Sequence, residues 1–559
     1  MPPLAPVLPS AAPTPPSSGQ EQSARVTDVV LCRGRDLALC LSLANLCYLN
    51  AWEAVQSLEA ADGQYFQKFP FLDILFVTTA GVLLLALLFS LSLNAVRRWQ
   101  KPQLTIAAQC IFLLSLNIPA RFIETQAMRP AVHSGRFANS VITLGFVALD
   151  ILILIAPVLI VTRRSRMPVA AARMVVLIFA PLLPVLLIQA AGSSFRSPSA
   201  AALQDKSLAP RSPHLSATAS RVVWLVFDEM DERFASQRRS RLITLPEFDR
   251  FRSEALHAVN AHSPARWTLI SMPALICGRL LSETEPEGPD ELTLTLRDGG
   301  RKVRWSAQPN VFSKAREAGL NTGLVGWYHP YCRVLSSSLT ECWWQPYLSA
   351  AQSTWRRADG RTLDVVETLL TQARRQLGAL ALPPYIGSAW GQDTGRRERE
   401  WDRQQQHLDY LQIRRHALEM VTNRDLGLVL VHWPVPHPVA FYNRSTHRVA
   451  SDVYDNYIEN LALADRALGE LRMAMERAGL WDRTSVLISS DHGLRNEAGL
   501  PLVPFLLKLP GQDHSLEYVP SFNTVLTHDL ILSLLGGDLS SPESVQRWLD
   551  ANRTRFPIN

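Results

Sequence analysis

Before residue 191 the chain gathers its apolar residues into five long segments, roughly residues 37–52, 71–96, 104–120, 141–161 and 174–191. A water-soluble core does not call for uninterrupted apolar runs of this length, whereas a bilayer needs roughly 20 such residues per helix. The second, fourth and fifth segments approach or exceed that length. The first and third are shorter and carry Asn45, Asn50, Gln109 and Asn117, which leaves a buried or re-entrant course open for them. Arg33 and Arg35 precede the first segment, Arg97, Arg98 and Lys101 follow the second, and Arg163, Arg164, Arg166 and Arg173 separate the last two. Basic flanks mark the cytoplasmic side. The loops 53–70 and 121–139 are then external, and an odd number of crossings puts everything after residue 191 outside the cytoplasm. The net charge of +6 is spread along these flanks instead of forming one patch, so no nucleic-acid partner is expected.

The expected organisation is a disordered tail over residues 1–30, rich in Pro, Ser and Ala, and a transmembrane domain of about five helices over 31–191. A Ser- and Pro-rich linker over 192–220 leads to an external domain over 221–559. Asp150, inside the fourth segment, is costly in a bilayer and faces a polar partner, most simply in helix packing. In the external domain, strand-like runs at 222–227, 322–327, 426–431, 485–489 and 505–509 alternate with helical patterns at 311–318, 363–380, 405–421, 454–478 and 524–535. That alternation predicts an α/β fold around a mainly parallel sheet. The Arg-, Glu- and Gln-rich stretch 396–406 reads as a solvated helix face.

In such sheets chemistry sits at the carboxyl ends of the strands. Ser485 to Gly493 (SVLISSDHG) is a buried strand that delivers Asp491 and His492. The run at 222–227 delivers Asp228 and Glu229, and the run at 426–431 delivers His432 and then His437. Carboxylates and imidazoles converging from three strand ends make up the donor set of a borderline divalent metal such as zinc, and the inventory of a metal-dependent hydrolase or transferase. For a nucleophile, Thr268 and Ser271 both precede an apolar helical run, where a helix N-terminus favours an anion.

Together these segments resemble the alkaline phosphatase and sulfatase superfamily, most nearly its membrane-anchored phosphoethanolamine transferases, which carry five N-terminal crossings and an external catalytic domain. The resemblance rests on four short stretches: Thr268-x-x-Ser271-x-Pro273, Glu229 after the first strand, Ser490-Asp491-His492-Gly493, and His437-Pro438 with Phe441-Tyr442 following. It implies Thr268 as nucleophile, a metal held by Glu229, Asp491, His492 and Thr268, and His437 as a group that orients the substrate or protonates the leaving group. Where the family has Gly-Glu-Thr this chain has Asp228-Glu229-Met230, so Asp228 shares or takes the ligand role. The histidine that often follows Asp-His-Gly has no counterpart in 494–508, a place His432 would fill unless a single metal sits in a sparser shell. Sulfatases place Gly-Arg ten and eleven positions after the residue converted to formylglycine. Counting back from Gly278-Arg279 lands on Thr268, which cannot be converted.

The implied activity moves a phosphoryl-type group, of which phosphoethanolamine is the family example, from a lipid donor to an envelope lipid or glycan in the cell membrane. The alternatives are a membrane-bound phosphodiesterase or phosphatase, and a non-catalytic module that kept the fold. An external location is oxidising, and a Cys332–Cys342 disulfide is expected there.

Overall fold

The computed structural model describes residues 18–57, 71–120, 155–161, 167–195, 203–212, 220–241, 243–346, 394–438, 440–449, 457–494 and 500–558, with a few isolated positions between, Tyr65 among them. The chain forms two compact units, one of apolar helices up to Gln189 and one from Ala190 onward that also takes in Glu53–Val77.

In the apolar unit, helix α1 (Ser18–Cys47) breaks at Tyr48 and resumes as α2 (Leu49–Ser57); α3 (Phe71–Trp99), α4 (Pro102–Ser115), α5 (Met167–Ile178) and α6 (Leu182–Ser194) follow. The first helix begins inside the stretch expected to be disordered. Its lead-in, Gln20 to Arg25, holds no Gly or Pro and consists largely of helix formers. Three helical stretches, Phe71–Trp99, Pro102–Ala120 and Met167–Ser194, are long and apolar enough to cross a membrane. The expected fourth segment lies largely outside the described residues, as do Asp150 and nearly all of the helix expected at 363–380.

In the polar unit all five expected runs are strands. We label the sheet strands β1 (Arg221–Phe227), β2 (Leu256–Ala258), β3 (Thr322–Tyr328), β4 (Glu341–Pro346), β5 (Leu428–Trp433), β6 (Thr484–Ser490), β7 (Leu506–Lys508) and β8 (Leu516–Tyr518). Their spatial order is β8-β2-β7-β6-β1-β5-β3-β4. The five strands from β6 to β4 are mutually parallel, and β7 joins β6 antiparallel. Side chains alternate across a strand, which explains why β1 is apolar throughout. Val222, Trp224 and Val226 enter one core while Val223, Leu225 and Phe227 enter the other. Each fully buried side chain of this kind contributes about 1.5–3 kcal/mol.

Helices α7 (Pro246–Ser253), α10 (Thr394–Val421) and α11 (Tyr457–Arg477) cover the second face. Helices α8 (Thr268–Cys277), α9 (Val311–Glu317), α12 (Thr527–Gly536) and α13 (Pro542–Asn552) cover the first. Two expectations change here. Within the expected linker, residues 203–212 are fastened to the polar unit: the Ala209 amide donates to the Leu339 carbonyl at 2.9 Å and the Ser212 amide to Asn321 Oδ1 at 2.8 Å. The end of the stretch expected as a solvated face is buried at Arg403 and Gln406, because their polar heads hold a loop described below.

Candidate active site

Three neighbouring parallel strands, β6, β1 and β5, end together. Phe227 pairs with Ser490 on one side and Trp433 on the other, and Val226 pairs with His432. Parallel neighbours lie about 4.8 Å apart, so Asp228, Asp491 and His432 are forced onto one rim, all fully buried. Ser490 of the Ser-Asp-His-Gly stretch is the clamp between two of these ends. Its hydroxyl donates to the Phe227 carbonyl at 2.6 Å and accepts from the Met230 amide at 2.9 Å. Gly493 is needed because a Cβ there would stand 2.9 Å from Pro501, 3.0 Å from the Asp231 carboxylate and 3.1 Å from the Leu502 carbonyl.

Glu229 takes φ +60°, a conformation costly for a residue with a side chain. The turn is held from both sides. Its amide donates to Asp491 Oδ1 at 3.1 Å, and its carbonyl accepts from the Tyr457 hydroxyl at 2.9 Å. Sequence reasoning passed over Tyr457, since a tyrosine at a helix start carries no signal of its own.

Thr268 is the first residue of α8. Its Oγ1 lies 3.3 Å from His492 Nε2 and 3.5 Å from Asp228 Oδ2. The other candidate, Ser271, is one turn further in and fully buried, and no hydrogen-bond partner stands opposite its Oγ. His492 Nε2 is also 3.6 Å from Asp228 Oδ1 and 3.5 Å from Asp491 Oδ2.

The tautomers follow from the partners. His492 Nδ1 faces the Gly493 carbonyl at 3.0 Å and His432 Nδ1 the Trp327 carbonyl at 3.0 Å. A carbonyl only accepts, so His492 Nδ1 carries the proton and its Nε2 turns a lone pair to the site, the usual preparation of a metal-binding imidazole; His432 Nδ1 is also 3.0 Å from the Tyr331 hydroxyl, and its Nε2 likewise faces the site. His437 stands nearer the surface, its Nε2 3.6 Å from Glu229 Oε2. Its loop is propped by Gln406, which donates to the Pro438 carbonyl at 2.7 Å, by Arg403 to the Ala440 carbonyl at 2.9 Å, and by Asn460 to the His437 carbonyl at 2.9 Å.

Two sets of donor atoms lie within 4.8 Å of one another, Asp228 with Glu229 and His492, and Asp228 with His432 and Asp491. The fit to a divalent cation can be tested on the polar atoms themselves. His432 Nε2 and Asp491 Oδ2 are buried and have no hydrogen-bond partner. Burial without a partner costs free energy that a bound cation returns. Burial also pushes the His432 imidazole down to about 4, which keeps it neutral and able to ligate. For Asp491, burial pushes the carboxyl up, but the positive charge that His492 and His432 carry when protonated, the Thr268 hydroxyl and the Glu229 amide together hold it below the usual carboxylate range.

One further histidine was missed. His329 follows β3 as the others follow their strands, and the same strand-end signal was there to find it. It is fully buried, and burial pushes it down to about 3. Cys332 and Cys342 are joined in a disulfide with a Cα–Cα distance of 5.6 Å, and Cys277 is a buried free thiol.

A hydroxyl at a helix start, facing buried carboxylates and imidazoles, is the kind of inventory that phosphoryl transfer and phosphoester hydrolysis of the alkaline phosphatase type use. The family model described as type I phosphodiesterase / nucleotide pyrophosphatase matches residues 284–504, which include His432, His437, Asp491 and His492. Over 72 residues the chain is 32% identical to bis(5'-adenosyl)-triphosphatase enpp4 of Xenopus laevis, a match spanning 13% of this chain and 15% of that protein.

Among solved structures, the phosphonate monoester hydrolase of Agrobacterium radiobacter is similar at 13% identity over 57% of this chain and 74% of that one, with a TM-score of 0.36. The lipoteichoic acid synthase LtaP of Listeria monocytogenes is similar at 12% identity over 57% and 72%, with a TM-score of 0.37. The family match over residues 284–504 and the side chains at the rim accord with the expected resemblance to the alkaline phosphatase and sulfatase superfamily.

Proposed function

We propose that this protein is a membrane-anchored phosphotransferase that cleaves a lipid phosphodiester and passes the phosphoryl-type headgroup to an envelope lipid or glycan through a Thr268-linked intermediate. The observation that carries the reading is the approach of Thr268 Oγ1 to His492 and Asp228 at the start of α8. In the first half-reaction Oγ1 bonds to phosphorus and gives its proton toward Asp228 Oδ2. The bond from phosphorus to the lipid oxygen breaks, and His437 supplies the proton that oxygen takes. In the second, an acceptor hydroxyl gives its proton to His437 and bonds to phosphorus, and the bond to Oγ1 breaks as Asp228 returns its proton to Oγ1, so the enzyme ends as it began.

A divalent metal suits Asp228, Glu229, Asp491, His492 and Thr268, with His432 as a further ligand. Zinc is favoured by the mixture of imidazole and carboxylate, and it would lower the pKa of the hydroxyl and neutralise charge on the phosphoryl oxygens. Phosphoethanolamine as the headgroup rests on the motif resemblance alone. Orientation with the polar unit outside the cytoplasm, in the cell membrane, rests on the placement of Arg and Lys around the apolar helices.

The phosphodiesterase match favours a second reading, in which water resolves the same intermediate. Both are tested by holding the full chain in bilayers with a headgroup-labelled lipid phosphodiester and quenching in acid. Label on the peptide containing Thr268, absent in Thr268→Ala, is expected. Label on another residue, or on none, overturns the mechanism. Release of headgroup into water at the same rate with and without an acceptor alcohol decides for the hydrolase.

A further inference from the structure

Tyr65 lies in the stretch between α2 and α3, outside the residues matched by the phosphodiesterase family, yet it is fully buried within the core of the polar unit. Its hydroxyl is 2.8 Å from His329 Nδ1. The opposite nitrogen of that ring, Nε2, is 3.1 Å from the carbonyl of Thr268. The carbonyl only accepts, so Nε2 carries the proton and Nδ1 receives the tyrosine proton. One aromatic residue therefore supplies the hydrogen bond that this tautomer needs on the histidine that holds the backbone of the nucleophile.

The ring has little freedom to turn away. Trp305 packs edge-on to it with centroids 5.1 Å apart, and Tyr65 does the same at 5.9 Å. Fixing the Thr268 carbonyl fixes the first peptide plane of α8. That plane sets the direction of the Cα–Cβ bond, and so where Oγ1 stands relative to His492 and Asp228. The chemistry at the rim already has its ligands and its nucleophile without these two residues; what they add is aim.

We propose that Tyr65 and His329 are positioning residues for Thr268, acting as a two-link brace in which Tyr65 works through His329. The proposal rests on the reading of Thr268 as nucleophile. It makes the stretch between two apolar helices part of the catalytic apparatus, so the polar half does not carry its full activity by itself.

The test uses the full chain in detergent, with bis(4-nitrophenyl) phosphate as the model diester and hydrogen exchange over residues 263–272 as a readout independent of turnover. Tyr65→Phe removes one oxygen, and His329→Leu removes both hydrogen bonds. Each is expected to lower kcat about tenfold, the size of one lost hydrogen bond at a site where sub-ångström placement matters, with KM unchanged. His329→Gln should recover most of the loss, because its carboxamide oxygen accepts from Tyr65 and its NH2 donates to the Thr268 carbonyl. The double variant Tyr65→Phe/His329→Leu should be no worse than His329→Leu alone, and exchange over 263–272 should quicken in Tyr65→Phe.

Wild-type kcat and exchange in Tyr65→Phe would overturn the brace. So would losses that multiply in the double variant, or a glutamine no better than leucine. Wild-type turnover in Thr268→Ala would instead remove the nucleophile reading, and the exchange measurement would still decide whether Tyr65 holds the start of the helix.

Discussion

The two units of this chain place their polar groups in opposite ways. In the apolar unit, Leu83, Leu84, Leu87, Leu88 and Leu91 of α3 are exposed while Ser42, Asn45 and Asn117 are buried. Two of these buried groups tie helices together: Ser42 donates to the Val176 carbonyl at 2.5 Å, and the Trp52 indole donates to Asn45 at 2.8 Å. Apolar outside and polar within is the arrangement of helices solvated by lipid, where packing and interhelical hydrogen bonds replace the hydrophobic drive. In the polar unit the apolar residues fill two cores, and the buried carboxylates and imidazoles crowd one rim with lone pairs left over. Buried polarity in the first unit is scattered amides and hydroxyls along helices, whereas in the second it gathers carboxylates and imidazoles at one rim.

The largest test of that contrast is Thr268→Ala, which should lower kcat on a diester roughly 10³-fold or more, as loss of a covalent nucleophile does, with little change in thermal unfolding. Unchanged turnover would leave the rim without its chemistry. Next comes Asp491→Asn. It should weaken metal binding on the order of 100-fold, read by metal analysis after dialysis.

The apolar unit answers to packing instead. A Cβ at Gly81 would stand 2.6 Å from the Tyr48 ring. Gly81→Val should therefore cost that unit about 1–3 kcal/mol, measured by unfolding in detergent, and leave metal content unchanged.

The smallest effect is one of pH. Burial, with Glu247 adding to it, pushes the Asp465 carboxyl up to about 7, while its Oδ1 accepts from the Phe248 amide at 2.8 Å. Between pH about 4 and 7 the folded state then holds a proton that the unfolded state has released. Stability is full below that window and falls as pH rises through it. Asp465→Asn keeps the acceptor and loses the titration, so its melting temperature should exceed the wild type's by a few degrees at pH 8 and match it near pH 4.

Much of this was legible beforehand. The strands and the acids and histidines at their ends could be read off because a parallel core strand is apolar on both faces and its chemistry follows its carboxyl end. Helix-forming composition hid the difference between a solvated stretch and one that braces a loop, as at Arg403 and Gln406. The segment 203–212 looked like a tether because Ser, Pro and Ala say nothing of the carbonyls that will be within reach.

The order of residues alone determined that the chain has a lipid-adapted half and an α/β half, and that Thr268, Asp228, Glu229, His432, His437, Asp491 and His492 were the groups to watch. Only the tertiary structure decided that β6, β1 and β5 lie side by side, which nitrogen of each histidine faces the rim, and that Tyr65 reaches His329 from 264 positions away. Periodicity records the faces of local elements, whereas strand order and hydrogen-bond partners depend on how distant segments share one core, and no local pattern carries that.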